Sequence, residues 1–145
     1  MSLASISADE ATTRLASFDT VIDARSPAEY ADDHLPGAVN WPVLDNDERR
    51  EVGTEYKQVS AFDARKHGAA IVARRVADIV EQHVADKPRE WQPLVYCWRG
   101  GQRSGTLAWF LGQIGFRVSV LQGGYKAFRT VVREQLDALP ARFDF

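Results

Sequence analysis

Apolar positions fall into two rhythms along this chain: short unbroken runs, and longer stretches with apolar residues three or four apart. Thr20-Val21-Ile22-Asp23, Leu94-Val95-Tyr96-Cys97 and Arg117-Val118-Ser119-Val120-Leu121 are short and rich in β-branched or aromatic residues, which predicts buried strands. Ser7-Ala8-Asp9-Glu10 has the Ser-x-x-Glu spacing of a capping box and opens a helix that buries Leu15. Arg25-Ser26-Pro27 puts proline in the first turn of a small helix through Tyr30. Between Leu35 and Pro42, two prolines flank Val39 and predict a turn with a brief strand. From Asp45 to about Asp86 the pattern is helical. Ala69, Val72, Val76, Ile79, Val80 and Val84 make one stripe, and Gly53 and Gly68 are expected to interrupt or bend it. Leu107, Phe110, Leu111 and Ile114 recur at i, i+3, i+4 and i+7, so a helix from about Arg103 to Gly115 joins two strands. A last helix is expected from about Tyr125 to Leu139, apolar at Phe128, Val131, Val132, Leu136 and Leu139 and stopped by Pro140. Strands alternating with helices predict an α/β fold, a mainly parallel central sheet with helices on both faces. Such sheets bind ligands beyond the carboxyl ends of their strands, where Cys97 falls.

The chain has 145 residues, 45% hydrophobic and 26% charged, which fits one compact domain over 1–145 with no second domain of ordinary size. Eighteen Lys and Arg against 20 Asp and Glu give a net charge of −2, so neither an overall basic bias nor an obvious basic face points to nucleic acid. Any anion site must be local. No apolar run approaches the ~20 residues that span a bilayer, and no signal peptide is evident at the start, so a cytoplasmic protein without a membrane partner is expected. The single cysteine excludes an internal disulfide. His34, His67 and His83 are scattered without zinc-ligand spacing, so neither a structural metal nor a resident cofactor is expected.

The chemistry concentrates on Cys97-Trp98-Arg99-Gly100-Gly101-Gln102-Arg103, followed by Ser104. Adjacent glycines with positive φ allow successive backbone N–H groups to turn inward on one small anion. A helix starting at Arg103 would add its unpaired amides and the positive end of its dipole. Such a cradle favours the thiolate, the nucleophilic form of cysteine, and would stabilise a persulfide or selenium adduct. Cys97 is thus the candidate nucleophile, and Trp98, Arg99, Gly100, Gly101, Gln102, Arg103 and Ser104 are candidate binding residues. Arg99 and Arg103 both stand as sources of positive charge, and Trp98 either covers the loop or stacks on substrate.

These residues resemble those of a known family. Asp23-Ala24-Arg25-Ser26-Pro27-Ala28-Glu29-Tyr30 and His34-Leu35-Pro36-Gly37-Ala38-Val39-Asn40 resemble the paired signatures of rhodanese domains, with Cys97 at the position of their persulfide-forming cysteine. Asn46 to Gly53, Cys97 to Gly105 and Gln122-Gly123-Gly124-Tyr125-Lys126-Ala127-Phe128-Arg129 are similar to the rhodanese portion of the tRNA 2-selenouridine synthases. The resemblance runs from about residue 6 to 129, leaving 130–145 as terminal helix and tail. It implies a rhodanese-like fold and transfer of sulfur or selenium from a small anionic donor, thiosulfate or selenophosphate. In that family a wobble 2-thiouridine of tRNA is converted, through a geranylated form, to 2-selenouridine. A portion with a nucleotide-type phosphate loop normally follows the rhodanese part. No G-x-x-x-x-G-K-[ST] occurs in this chain, so tRNA is expected as a partner only where the domain is joined to that portion.

Three other readings remain open. One is a stand-alone thiosulfate sulfurtransferase. Another is a phosphatase, because Cys97-x5-Arg103-Ser104 also satisfies C-x5-R-[ST], in which a thiolate attacks phosphorus and arginine binds the phosphate oxygens. Tyr96, where such phosphatases usually carry histidine, argues against that reading. The third is a binding or regulatory module, and the presence of the cysteine argues for chemistry instead. Ester hydrolysis also needs a proton donor, and Asp23 and Glu29 are expected to anchor a turn and cap a helix rather than serve as that acid.

Overall fold

The computed structural model describes residues 2–138. In chain order it comprises β1 (Ser2–Ile6), α1 (Ala8–Arg14), β2 (Thr20–Asp23), α2 (Pro27–Asp32), β3 (Val39–Asn40), α3 (Asn46–Gln58), α4 (Ala61–Ile79), β4 (Pro93–Tyr96), α5 (Gln102–Ile114), β5 (Arg117–Leu121) and α6 (Gly124–Asp137). The strands form one sheet in the order β1-β5-β4-β2-β3, with every pairing parallel. The predicted α/β architecture is therefore present.

Strand periodicity explains the layers. On β2 and β4, Val21, Leu94 and Tyr96 face one side, where Ala11 of α1 and Tyr125 and Phe128 of α6 cover them. Ile22 and Val95 face the other, against Ile71, Val72, Val76 and Ile79 of α4 and Leu107, Ala108 and Leu111 of α5. Central β4 is buried at all four positions, as a strand covered on both faces must be.

Local signals set the helix starts. Ser7 and Glu10 form the expected capping box of α1, and proline opens α2. Asp45 with Glu48 caps α3, and Ser60 accepts from the Asp63 amide to start α4.

The structure departs from the sequence pattern in several places. The long helical stretch breaks at Val59 and Ser60, between α3 and α4, rather than at Gly53 or Gly68, which lie inside the helices. A methyl group on Gly68 would stand 3.3 Å from a Val52 methyl, so this glycine serves the close approach of α3 and α4. Of the expected stripe, Val72, Val76, Ile79 and Val84 are buried and Ala69 is exposed, and Ala64, Gly68 and Ile71 complete the buried face of α4. On α5, Phe110 and Ile114 are exposed while Ser104, Leu107, Ala108, Leu111 and Gly112 are buried, because small residues let the helix lie close to the sheet. The strand β1, which the pattern did not predict, pairs along β5 from Ser2 with Arg117 to Ile6 with Leu121. In α6, Phe128 is buried and Leu136 exposed; the expected end at Leu139 and Pro140 lies outside the described residues.

Candidate active site

Cys97 is the residue immediately after β4, so the central strand fixes its position from below. Its side chain is buried, and its Sγ lies 3.1 Å from Ser104 Oγ in the first turn of α5. Against a thiolate, the serine hydroxyl is the donor. The start of α5 has no side-chain cap and no acidic residue in its first turn. Among the described residues, the amides of Trp98, Arg99, Gly100, Gly101 and Gln102 are paired with no protein acceptor.

The β5–α6 turn holds the loop from behind. Tyr125 N–H donates to Cys97 O at 2.8 Å and Lys126 N–H to Trp98 O at 3.0 Å, so the start of α6 fixes two loop carbonyls. That contact requires glycine. Gly124 has φ +62°, and a methyl group there would meet Cys97 O and stand 2.7 Å from the Trp98 carbonyl carbon. Gly100, with φ +75°, packs on the backbone of Gly123 and Leu121. Gly101 departs from expectation: its φ is −93°, and it serves as the N-cap of α5, so only one of the loop's two glycines uses positive φ. We predict that Gly124→Ala costs about 2–4 kcal/mol, from left-handed strain plus overpacking. Chemical denaturation measures the loss, and a change under 1 kcal/mol would contradict the tight contact.

Trp98 is half-buried, tilted against the Tyr125 ring at 5.9 Å with the Arg129 guanidinium 5.3 Å from its centroid. These contacts favour its covering role. Arg103 is held within the protein, its two terminal nitrogens 2.7 and 3.3 Å from the two carboxylate oxygens of Glu29. Arg99 is exposed, without a carboxylate partner among the described residues. Cys97 lies in a cleft of about 720 Å³ whose other lining residues include Arg49, Lys57, Arg65, Arg99, Gln102 and Arg103, and no carboxylate. The basic face that the composition concealed is thus a concave one.

The sequence matches the family profile described as Rhodanese-like domain over residues 7–130. This chain belongs to the rhodanese-like family. It is 39% identical over 127 residues to a tRNA 2-selenouridine synthase of Chromohalobacter salexigens, an alignment covering 84% of this chain and 34% of that protein. It is 35% identical to the protein of the same name from Bdellovibrio bacteriovorus, across 98% of this chain and 38% of that one. This rhodanese-like domain therefore spans little more than a third of either relative. Among solved structures, the N-terminal domain of a Clostridium difficile 630 protein to which ATP/GTP binding is ascribed superposes with a TM-score of 0.73. The two are 35% identical, over 89% of this chain and 98% of that one. A rhodanese-related protein of Thermoplasma volcanium, at 18% identity and TM-score 0.57, shares the fold across 94% of this chain and 95% of its own.

The carboxylates near the rhodanese loop are committed to structure. Asp23 is fully buried, accepting from the Arg25 side chain at 2.7 to 3.1 Å and from the Tyr96 hydroxyl at 2.8 Å. Burial, and then the charge of Asp23, push the Tyr96 hydroxyl well above its ordinary range, so it remains a neutral donor. Glu29 accepts from the Ser26 amide and hydroxyl as the cap of α2, and from Arg103. Burial alone would raise its pKa, but the hydrogen bonds and charge of Arg103, with help from Ser26, hold it at about 2. Glu29 is therefore ionised at any physiological pH.

A carboxylate whose pKa falls from 4.5 to about 2 on folding adds stability that is fully present above 4.5 and lost as pH falls toward 2. Glu29→Gln should flatten the pH dependence of unfolding in that window by about one proton. An unchanged acid slope would contradict the Arg103 pairing.

The histidines are engaged elsewhere: His34 stacks on Tyr30, His83 stacks on Trp41, and His67 pairs with Glu55. Among the described residues there is no group of three or more His, Cys, Asp or Glu placed to hold a metal ion, and no helix long and apolar enough to cross a membrane. Sequence reasoning missed Gly124 and Tyr125 as supports of the cysteine loop, although the Gln122-Gly123-Gly124-Tyr125 motif was visible.

Proposed function

We propose that this rhodanese-like domain transfers sulfur or selenium through an adduct on Cys97, as the rhodanese portion of a cytoplasmic tRNA 2-selenouridine synthase. Selenophosphate is then the donor and a wobble 2-thiouridine, geranylated so that its sulfur leaves as the geranyl thiol, the acceptor, with the tRNA reaction requiring the phosphate-loop portion that normally follows the rhodanese part in that family. The observation that carries the reading is the placement of Cys97 at the head of α5, with Ser104 as its hydroxyl partner, in a cleft lined by cations and no carboxylate. With thiosulfate, the thiolate attacks the outer sulfur, the S–S bond breaks and sulfite leaves as an anion, so no proton donor is needed. With selenophosphate, the thiolate attacks selenium, the Se–P bond breaks and the phosphorus takes the electron pair and leaves as phosphite. With no second cysteine in the sequence, the adduct passes to an outside acceptor.

The phosphatase reading is disfavoured by the same geometry. An alkoxide leaving group needs a positioned acid, but Asp23 is locked by Arg25 and Tyr96 and Glu29 is ionised. Arg103, the phosphate-binding arginine of that reading, is held by Glu29. The test is a side-by-side assay of thiosulfate-to-cyanide sulfur transfer and aryl phosphate hydrolysis. Sulfur transfer with negligible phosphate release is expected. Phosphate release that depends on Cys97, without sulfur transfer, would reverse the choice.

A further inference from the structure

The wall of the cleft facing the cysteine loop belongs to α3 and α4, and helical periodicity sorts its charge. On α3, Arg49, Val52, Gly53, Tyr56 and Lys57 line the cleft, at i, i+3, i+4, i+7 and i+8 of one face. The acids Asp47, Glu51 and Glu55 fall on another face, lining a separate hollow. Across the groove, α4 contributes Arg65 and the loop contributes Arg99. Lys57, Arg65 and Arg99 have no carboxylate partner among the described residues, whereas Arg49 and Arg103 both approach Glu29. Tyr56 is 55% exposed and makes no ring contact or hydrogen bond among the described residues. Val52, half-buried, and Val72, buried, give the cleft an apolar floor.

A cleft of about 720 Å³ has room for far more than thiosulfate or selenophosphate. Unpaired cations that select a polyanion, beside an exposed aromatic ring, are the elements that hold single-stranded nucleic acid. The ring and the apolar floor favour a nucleobase over an acidic peptide, which needs neither.

We propose that the α3–α4 wall is a docking groove for single-stranded RNA, in which Lys57, Arg65 and Arg99 take backbone phosphates and Tyr56 stacks on a base. The proposal rests on the chalcogen-transfer reading, since it brings the acceptor strand to the cleft that contains Cys97. The groove lies wholly on this chain.

The test uses the full chain and a short fluorescein-labelled oligouridine RNA, followed by fluorescence anisotropy across a salt series. For single strands, the slope of log K against log salt changes by about 0.7 per phosphate contact, so Lys57→Ala/Arg65→Ala should flatten it by about 1.4. Tyr56→Ala should weaken binding roughly tenfold, with Tyr56→Phe restoring it. Melting temperatures close to wild type would show that the variants are folded, as expected for exposed positions. Wild-type RNA affinity and salt slope in both variants would overturn the proposal, as would failure of the unsubstituted chain to bind. Competition by polyglutamate as effective as RNA, with no loss in Tyr56→Ala, would assign the groove to an acidic protein instead. Adduct formation on the unsubstituted chain is measured in the same preparation. RNA binding through Tyr56 without an adduct would overturn the chalcogen reading alone, and an adduct with variant-insensitive RNA binding would overturn the groove alone.

Discussion

Cys97→Ser is expected to abolish sulfur transfer from thiosulfate to cyanide, lowering the rate by more than roughly a thousandfold, because the removed atom is the attacking group. Serine keeps the size and the hydrogen bond to Ser104, so the fold should persist with little change in melting temperature. The serine hydroxyl is far less acidic than a thiol, and no neighbouring base is placed to activate it: His34, His67 and His83 are all engaged elsewhere. The chain contains no other thiol to substitute for it. Steady-state turnover and thermal unfolding, measured together, separate loss of chemistry from loss of structure. Residual turnover above a tenth of the wild-type rate would show that the reaction does not pass through this sulfur.

The second large effect is on stability. Asp23→Ala should destabilise the fold by about 3–5 kcal/mol, the cost of leaving one charge of a buried pair without its partner. Arg25 is 3% exposed, its guanidinium paired with Asp23 and also donating to the Asp33 carbonyl at 2.6 Å. Burial acts against its charge, and Asp23 outweighs burial, so the Arg25 pKa lies above its ordinary value. The damage should reach the site, because Tyr125, whose amide fixes Cys97 O, lies with its ring centroid 4.5 Å from the Arg25 guanidinium. Denaturant titration of Asp23→Ala beside Asp23→Leu/Arg25→Met isolates the cause. The double variant should recover much of the loss, since removing both charges leaves none unpaired. Equal destabilisation in the two would contradict an electrostatic origin.

What the sequence disclosed follows from the range of the interactions. The buried strands around Val21, Val95 and Val118 were legible because a short apolar run between turn residues is a local signal. The Ser7 and Ser26-Pro27 helix starts were legible for the same reason, and so was the cysteine loop, a reactive residue at a strand end followed by glycines. The break between α3 and α4 carried a signal too, the Ser60-x-x-Asp63 cap, but it lacked glycine or proline and two internal glycines competed with it. The strand β1 was not legible, since Leu3 is exposed and the strand is defined by its pairing with β5, from the other end of the chain. On α5, residue size rather than hydrophobicity decided the buried face, leaving Phe110 and Ile114 outside.

At the site, the missing information was long-range. The pairing of Arg103 with Glu29 joins residues 74 positions apart, and no local pattern announces it. The support of Cys97 O by the Tyr125 amide likewise needs β4 and β5 to lie side by side. The cationic cleft escaped notice because net charge averages over faces, whereas Lys57, Arg65 and Arg99 converge only once α3 and α4 pack against the loop.

The central claim, that Cys97 carries the transferred chalcogen, is tested most directly by intact mass spectrometry of the chain after incubation with thiosulfate and, separately, with selenophosphate. A gain of one sulfur or one selenium atom, removed by a thiol reductant, is expected, with no gain in Cys97→Ser. An adduct that persists in Cys97→Ser, or a wild-type chain that stays unmodified with both donors, would contradict it.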